Sequence, residues 1–197
     1  MVRTLTEGRE RLLLLDGHSI LFRSYYALAG RRAMSAPDGT PTHAVFAFCQ
    51  ILLKHLEEER PTHVAVAFDR PEPTFRHAEY SEYKAGRRPT PPDLLVQVPL
   101  LRDVLDALRI PSLEIPGFEA DDVLGTLSRI ASERGADTRI LTGDRDALQL
   151  VDARVQVLFP ANRGGKPVTE HMDEAAILDR YGLSPRQLID VKAIMGD

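Results

Sequence analysis

Leu12-Leu13-Leu14-Leu15-Asp16-Gly17 is the stretch whose reading decides the fold. A short, wholly apolar run closed by an acid and a glycine reads as a buried strand followed by a turn. Working outward, the same punctuation recurs. Residues 19–28 have a helical pattern, and 30–39 form a loop around the turn signal Pro37-Asp38-Gly39. Thr40-Pro41 opens a helix with proline at its first position; it runs to Glu59 and is stopped by Pro61. Residues 63–68 are a second β-rich run, ending at Asp69, and 70–92 are polar, basic and punctuated by prolines. A loop of that length in a compact domain is usually functional or mobile.

Residues 93–108 are helical in period, with a kink expected at Pro99. Residues 113–115 form a short strand, and 119–134 an amphipathic helix stopped by Gly135. Residues 138–141 make a further strand leading into Thr142-Gly143-Asp144. Runs at 155–159 and 167–169 flank Asn162-Arg163-Gly164-Gly165 as a hairpin. The last helices cover 173–181 and 184–194, the second capped by Ser184-Pro185. Strands alternating with helices predict an α/β fold, a mostly parallel central sheet flanked by helices on both faces. There is no internal repeat.

Composition narrows the function classes. The chain has 197 residues, 43% of them hydrophobic, enough for one domain with a real core. No run is long enough to span a bilayer and no secretory signal opens the chain, so a cytoplasmic protein without membrane partners is expected. The single cysteine, Cys49, sits among Phe46, Phe48 and Ile51 as a core position, and no disulfide within the chain is possible. The net charge of −4 argues mildly against nucleic acid. The average hides a pattern, however: acids gather at strand ends and bases in one loop.

In open α/β sheets, ligand sites lie beyond the carboxyl ends of the strands. Acids stand there in several units: Asp16, Asp69, the group Glu119, Asp121 and Asp122, then Asp144 and Asp146, with Asp197 at the end of the chain. Each has an ordinary reading as a turn residue, a cap or a complement to a helix dipole. Together they repel one another, a cost that a cation relieves. With only oxygen donors and no Cys or His spacing for zinc, that cation is Mg²⁺ or Mn²⁺. More acids than one ion needs imply two ions, which about 4 Å apart can activate a water and stabilise the leaving oxygen of a phosphodiester. The segment 70–88 carries Arg70, Arg76, Lys84, Arg87 and Arg88 interleaved with Phe75, Tyr80 and Tyr83. Bases among stacking rings suit single-stranded nucleic acid, and a solvated surface loop is the plain alternative.

The blocks Leu14-Leu15-Asp16-Gly17-His18, Phe68-Asp69, Phe75-Arg76-His77, Tyr83-Lys84-Ala85-Gly86-Arg87, Gly117-Phe118-Glu119-Ala120-Asp121-Asp122 and Thr142-Gly143-Asp144-Arg145-Asp146 stand in this order. Together they resemble the 5′-nuclease (flap endonuclease) domain of bacterial DNA polymerase I, from about residue 12 to 197. The resemblance implies a two-metal nuclease that removes 5′ flaps and RNA primers and acts on nicked DNA. It places Asp16, Asp69, Glu119 and Asp121 at a first Mg²⁺, and Asp144, Asp146 and Asp197 at a second, with Asp122 beside both and Mn²⁺ able to substitute. It makes 70–92 an arch over the 5′ end, with Arg70, Phe75, Arg76 and Tyr83 on DNA. Lys84, Arg87 and Arg23 then act on the scissile phosphate. A covalently attached polymerase and a bacterial cytoplasmic, nucleoid-associated setting follow from the same likeness. The family continues past Asp197 with a further aspartate and a helix–hairpin–helix. Because these lie beyond the last residue, the 197 residues alone are expected to be an impaired nuclease.

Two other enzymes share parts of the pattern. A PIN-type ribonuclease also clusters acids on a parallel sheet, but lacks the interleaved arch segment. A haloacid-dehalogenase phosphatase needs an acid two residues after Asp16, where His18 stands. A DNA-binding remnant that holds metal without turnover is the non-catalytic alternative.

Overall fold

The computed structural model describes residues 9–28, 34–80, 82–84, 86 and 89–195. The leucine run forms strand β1 (Arg11–Asp16). Successive side chains of a strand point to opposite faces, so Leu13 and Leu15 enter one core cluster and Leu14 the other. Both faces of β1 are dry, which is why no polar residue alternates along it.

Five more strands complete the sheet: β2 (His63–Ala67), β3 (Ser112–Leu113), β4 (Asp137–Leu141), β5 (Val155–Arg163) and β6 (Lys166–Met172). The order is β3-β2-β1-β4-β5-β6, with β1 between its parallel neighbours β2 and β4. Only the β5–β6 pair is antiparallel among the described strands. Its two-residue turn has Gly164 at φ 61° and Gly165 at φ 80°, the left-handed pair that matches the twist of a hairpin. That turn lets pairing run out to Arg163 and Lys166, so both strands are longer than the apolar runs alone predict.

The helices are α1 (Gly17–Leu28), α2 (His43–Glu59), α3 (Phe75–Glu79), α4 (Pro92–Leu95), α5 (Gln97–Ala107), α6 (Ala120–Glu133), α7 (Glu174–Tyr181) and α8 (Pro185–Met195). A 3₁₀ helix spans Arg145–Leu150. Helices α1, α2 and α5 cover the Leu13 and Leu15 face with Ile20, Leu21, Phe48, Leu52, Leu101 and Leu105. Helices α6 and α7 and the 3₁₀ helix cover the other with Val123, Leu124, Leu148 and Ile177. The expected α/β architecture is therefore present. No helix among the described residues is long and apolar enough to cross a membrane.

Several boundaries move for identifiable reasons. Helix α1 starts at Gly17 rather than residue 19, because the Asp16 carboxylate accepts the Ser19 amide at 3.0 Å and caps it. Helix α2 starts at His43, and Pro41 is not its first residue: Pro41 bridges Ser35, while the Thr42 amide donates to the Met34 carbonyl. The first amides of α2 are met from afar, where the fully buried Gln97 accepts from Ala44 at 2.8 Å and Val45 at 3.3 Å. The helix expected over 93–108 is two helices parted at Val96. Pro99 excludes the carbonyl four residues back, that of Leu95, and the chain breaks there instead of kinking. The segment 70–92 is not all loop, since it carries α3 and the start of α4.

Where β1 meets α1, Gly17 lies against the buried ring of Phe68, and a Cβ on it would come within 2.4 Å of Phe68 Cε1. Overpacking of this kind costs about 1–3 kcal/mol. Gly17→Ala is therefore expected to lower stability by that amount in urea unfolding. A neutral effect would show that Phe68 can move, and that the acids on either side of it are loosely held.

Candidate active site

Three parallel strands deliver acids to one edge. Asp16 ends β1, Asp69 follows β2, and Asp144 follows β4. The first turn of α6 brings Glu119 and Asp121 to the same place. These five, with His18, Ser19, Phe22, Lys84 and Thr90, line a cleft of about 360 Å³. Five of the acids singled out from the sequence thus share one cleft, at the end of the sheet where parallel strands present ligand sites.

The acids are held under electrostatic load. Asp16 is 6% exposed, and burial pushes its carboxyl up to about 6. The Ser19 amide and the Thr142 hydroxyl, donating at 3.0 and 2.9 Å, pull it back, while the charges of Asp69 and Asp144 push it further up. Asp121 is raised to about 7, by desolvation first and then by Asp16, Asp144, Asp69 and Glu119. Its side chain still meets solvent, so water screens part of that rise. Asp69 accepts the Ala120 amide at 2.7 Å, which ties the end of β2 to the start of α6. Its own amide donates to Nδ1 of His18 at 3.1 Å. Burial lowers the pKa of the His18 ring, in keeping with a neutral ring and an acceptor nitrogen.

This load has a pH signature. The folded chain holds the Asp16 proton more tightly than the unfolded chain. The cost of ionising Asp16 is therefore absent below about pH 4, grows as pH rises, and is complete above about pH 6. Asp16→Asn never ionises. In EDTA it should gain stability over the wild type as pH goes from about 4 to 7, levelling off at about 1–3 kcal/mol. Taking the difference between the two proteins cancels His18 and His55, whose buried rings respond the opposite way. A difference that stays flat over that range contradicts the burial of Asp16.

Other predicted residues are engaged differently. Both oxygens of Asp122 receive the Arg76 guanidinium at 2.8 Å, and Asp122 also accepts the Glu119 amide at 2.9 Å. The fork holds the Asp122 carboxyl below its usual range. The structure thus pairs Arg76 with Asp122 instead of leaving one for DNA and the other for metal, and the pair straps α3 to the first turn of α6. Charge-assisted, bidentate pairs are worth about 1–3 kcal/mol. Arg76→Ala and Asp122→Ala should each destabilise by about that much, and the double variant by little more than either. Full additivity in a thermal-unfolding cycle would contradict the strap.

Glu119 accepts from Tyr83 Oη at 3.1 Å and Lys84 Nζ at 2.7 Å. Asp146 pairs with Lys192 of α8 and lines a second groove, of about 770 Å³, that meets the cleft at Asp121. Phe75 lines that groove, its ring tilted against Phe118 at 5.9 Å. Arg70 forks onto Glu72 at the surface. Arg23 is exposed, with its Cδ beside Gly143. Arg87 and Asp197 lie outside the described residues. Among the described residues no three acid, His or Cys side chains are placed to close on one metal ion. The donor set still fits a hard divalent cation: it is all oxygen, mutually repelling, and partly occupied by Lys84 and Arg76 as counter-charges.

Sequence reasoning left Ser19, His18 and Thr142 without a role. Thr142 is fully buried and accepts the Asp144 amide at 3.0 Å, and Ser19 accepts the Gly143 amide at 2.9 Å. Their one sequence signal was position, two or three residues from an acid at a strand end.

Comparison with known proteins bears on the family and the fold. The family model for the 5′-3′ exonuclease, N-terminal resolvase-like domain matches residues 11–182. DNA polymerase I of Bacillus subtilis (strain 168) is 41% identical over 189 residues, 96% of this chain and 21% of that protein. Thermostable DNA polymerase I of Thermus thermophilus is 44% identical over 193 residues, 98% of this chain and 22% of that one. The chain thus spans about a fifth of the length of these curated relatives. Among solved structures, the T5 D15 protein co-crystallised with metal ions superposes with a TM-score of 0.72 at 18% identity, over 95% of this chain and 67% of that one, a likeness of fold. With the acids in place and most of its length matched, the chain belongs to the 5′-3′ exonuclease, N-terminal resolvase-like domain family.

Proposed function

We propose that the chain is a divalent-metal-dependent 5′-nuclease that hydrolyses phosphodiester bonds in DNA, as the 5′-3′ exonuclease part of a DNA polymerase I. One observation carries the reading: Asp16, Asp69, Glu119, Asp121 and Asp144 share a single cleft with Lys84 at its wall. DNA with 5′ flaps or nicks and RNA–DNA primers are the substrates. A covalently attached polymerase and a bacterial cytoplasmic, nucleoid-associated setting accompany them.

Asp16, Asp69, Glu119 and Asp121 would hold one Mg²⁺, and Asp144, with Asp146 and Asp197, a second, Mn²⁺ substituting. When bound, the ions supply an activated water and a counter-charge for the leaving oxygen. The chain's own groups do the positioning. Lys84, now on Glu119, is within reach of a phosphate brought to the cleft, where its charge stabilises the reacting oxygens. Arg23 beside Gly143, and Arg87, add positive charge for the same phosphate. Tyr83 keeps Glu119 oriented. The Arg76–Asp122 strap fixes the segment that carries Lys84 relative to α6.

The test is cleavage of end-labelled flap, nicked and single-stranded DNA, and of RNA-primed duplex, in Mg²⁺, Mn²⁺ and EDTA. Cuts at flap junctions, nicks and primer ends in either metal, and none in EDTA, are expected. Cleavage that survives EDTA overturns the reading, and cleavage confined to single-stranded RNA would favour a PIN-type ribonuclease.

A further inference from the structure

We infer that Thr142, seconded by Ser19, is a positioning residue that fixes the Asp16 and Asp144 carboxylates relative to each other, an inference that rests on the nuclease reading. Thr142 directly follows β4 and is fully buried, and its hydroxyl makes no bond to that strand. An ionised carboxylate can only accept, so the single Thr142 hydroxyl proton goes to Asp16 Oδ2, at 2.9 Å. The oxygen's lone pairs are then free, and one takes the Asp144 amide at 3.0 Å. A directional chain results, from the Asp144 amide through the Thr142 hydroxyl to Asp16, joining two distant parts of the sequence through one side chain.

Ser19 doubles the bracket. Its amide donates to the other Asp16 oxygen at 3.0 Å, and its hydroxyl accepts the Gly143 amide at 2.9 Å, with Thr142 Oγ1 3.4 Å away. Gly143 is close enough that a Cβ there would lie 3.0 Å from Ser19 Oγ. Both Asp16 oxygens are thus oriented by groups that also grip the turn bearing Asp144, and Asp144 Oδ1 in turn accepts the Asp146 amide at 2.9 Å. The two acids follow neighbouring strands paired up to Leu15 and Leu141, and without the bracket the place of Asp144 beyond that pairing would depend on its turn alone. A cation shared near them is sensitive to that separation, and loss of such outer hydrogen bonds costs about 10–100-fold in metal affinity or activity. Thr142 touches neither substrate nor metal in this scheme; it acts through Asp16 and Asp144.

Thr142→Val keeps shape and burial and removes the hydroxyl, whereas Thr142→Ser keeps the hydroxyl and removes a methyl. Mn²⁺ affinity by calorimetry, melting shift with Mg²⁺, and flap-cleavage kcat and KM for DNA are measured on wild type and both variants. Expected are a rise in Mn²⁺ Kd and a fall in kcat of about tenfold or more in Thr142→Val, KM for DNA unmoved, and restoration to within about threefold in Thr142→Ser. Thr142→Val with wild-type Mn²⁺ Kd overturns the bracket, as does a Thr142→Ser protein as impaired as Thr142→Val, since packing would then be the whole role. Should Thr142→Val fail to fold, Ser19→Ala decides, because the bracket requires it to raise the Mn²⁺ Kd in the same sense, and an unmoved Kd overturns it. A wild type with no response to Mg²⁺ or Mn²⁺ overturns the nuclease reading itself, and the bracket with it.

Discussion

Asp16→Asn combined with Asp121→Asn should lower Mg²⁺-dependent DNA cleavage by about 10³-fold, the scale on which single preorganised electrostatic groups act. The same change should make the metal-free chain more stable. Both acids are pushed toward the neutral form, Asp16 chiefly by burial and Asp121 by desolvation and four neighbouring acids. At pH above about 7 the wild type carries those charges against that cost, and the amides do not. A gain on the order of 1 kcal/mol raises the melting temperature of a chain this size by about 2–4 °C. Stability and activity therefore move in opposite directions, as expected of acids placed for a cation and not for the fold. Acids serving only as caps or turn residues would behave otherwise: asparagine caps about as well as aspartate, so stability and cleavage would both stay near the wild type. Melting curves in EDTA and initial cleavage rates in Mg²⁺ check both halves.

Lys84→Ala is expected to be the next largest effect, a loss of about 10²-fold in kcat with the fold retained. Lys84 is half-buried at the cleft wall, 2.7 Å from Glu119 and over the ring of Tyr83 at 5.2 Å. Its backbone is in the left-handed region at φ 61°, which aims the residue back toward α6 from a segment that otherwise runs on the surface. Non-glycine residues adopt that conformation at a cost when the surroundings require it. Lys84→Gly should relieve the backbone and lose the same activity, which separates the role of the charge from that of the turn. One phosphate contact fewer should also flatten the salt dependence of DNA binding by about one ion. If either variant unfolds instead of losing turnover, the segment is structural and the assignment of Lys84 fails.

What the sequence made legible follows from locality. The leucine run, the acids closing β1, β2 and β4, and the glycines of the hairpin turn are each written in a few adjacent residues. Their readings hold at the level of elements and of which acids meet. What was not legible depends on partners far apart in the chain. Gln97 caps α2 from 53 residues away, Arg76 reaches Asp122 across 46, and Thr142 reaches Asp16 across 126. Such pairs leave no periodic trace. They also engage residues in ways local sequence does not suggest: Arg76, read as a DNA contact, is held by Asp122, and Asp146, read as a metal ligand, is paired with Lys192. The break at Val96 was within reach, since Pro99 stood in plain sight, but whether a proline kinks or divides a helix depends on what the freed carbonyl meets.

The central claim is that the acids of β1, β2, β4 and α6 meet in order to hold divalent cations. Its most direct test is to count Mn²⁺ bound per chain by the paramagnetic resonance of the free ion, for wild type and for Asp16→Asn with Asp121→Asn. The account predicts saturable Mn²⁺ binding by the wild type, competed by Mg²⁺ and abolished or weakened at least about tenfold by the double substitution. Equal Mn²⁺ binding by the two proteins, or none by the wild type, would contradict it.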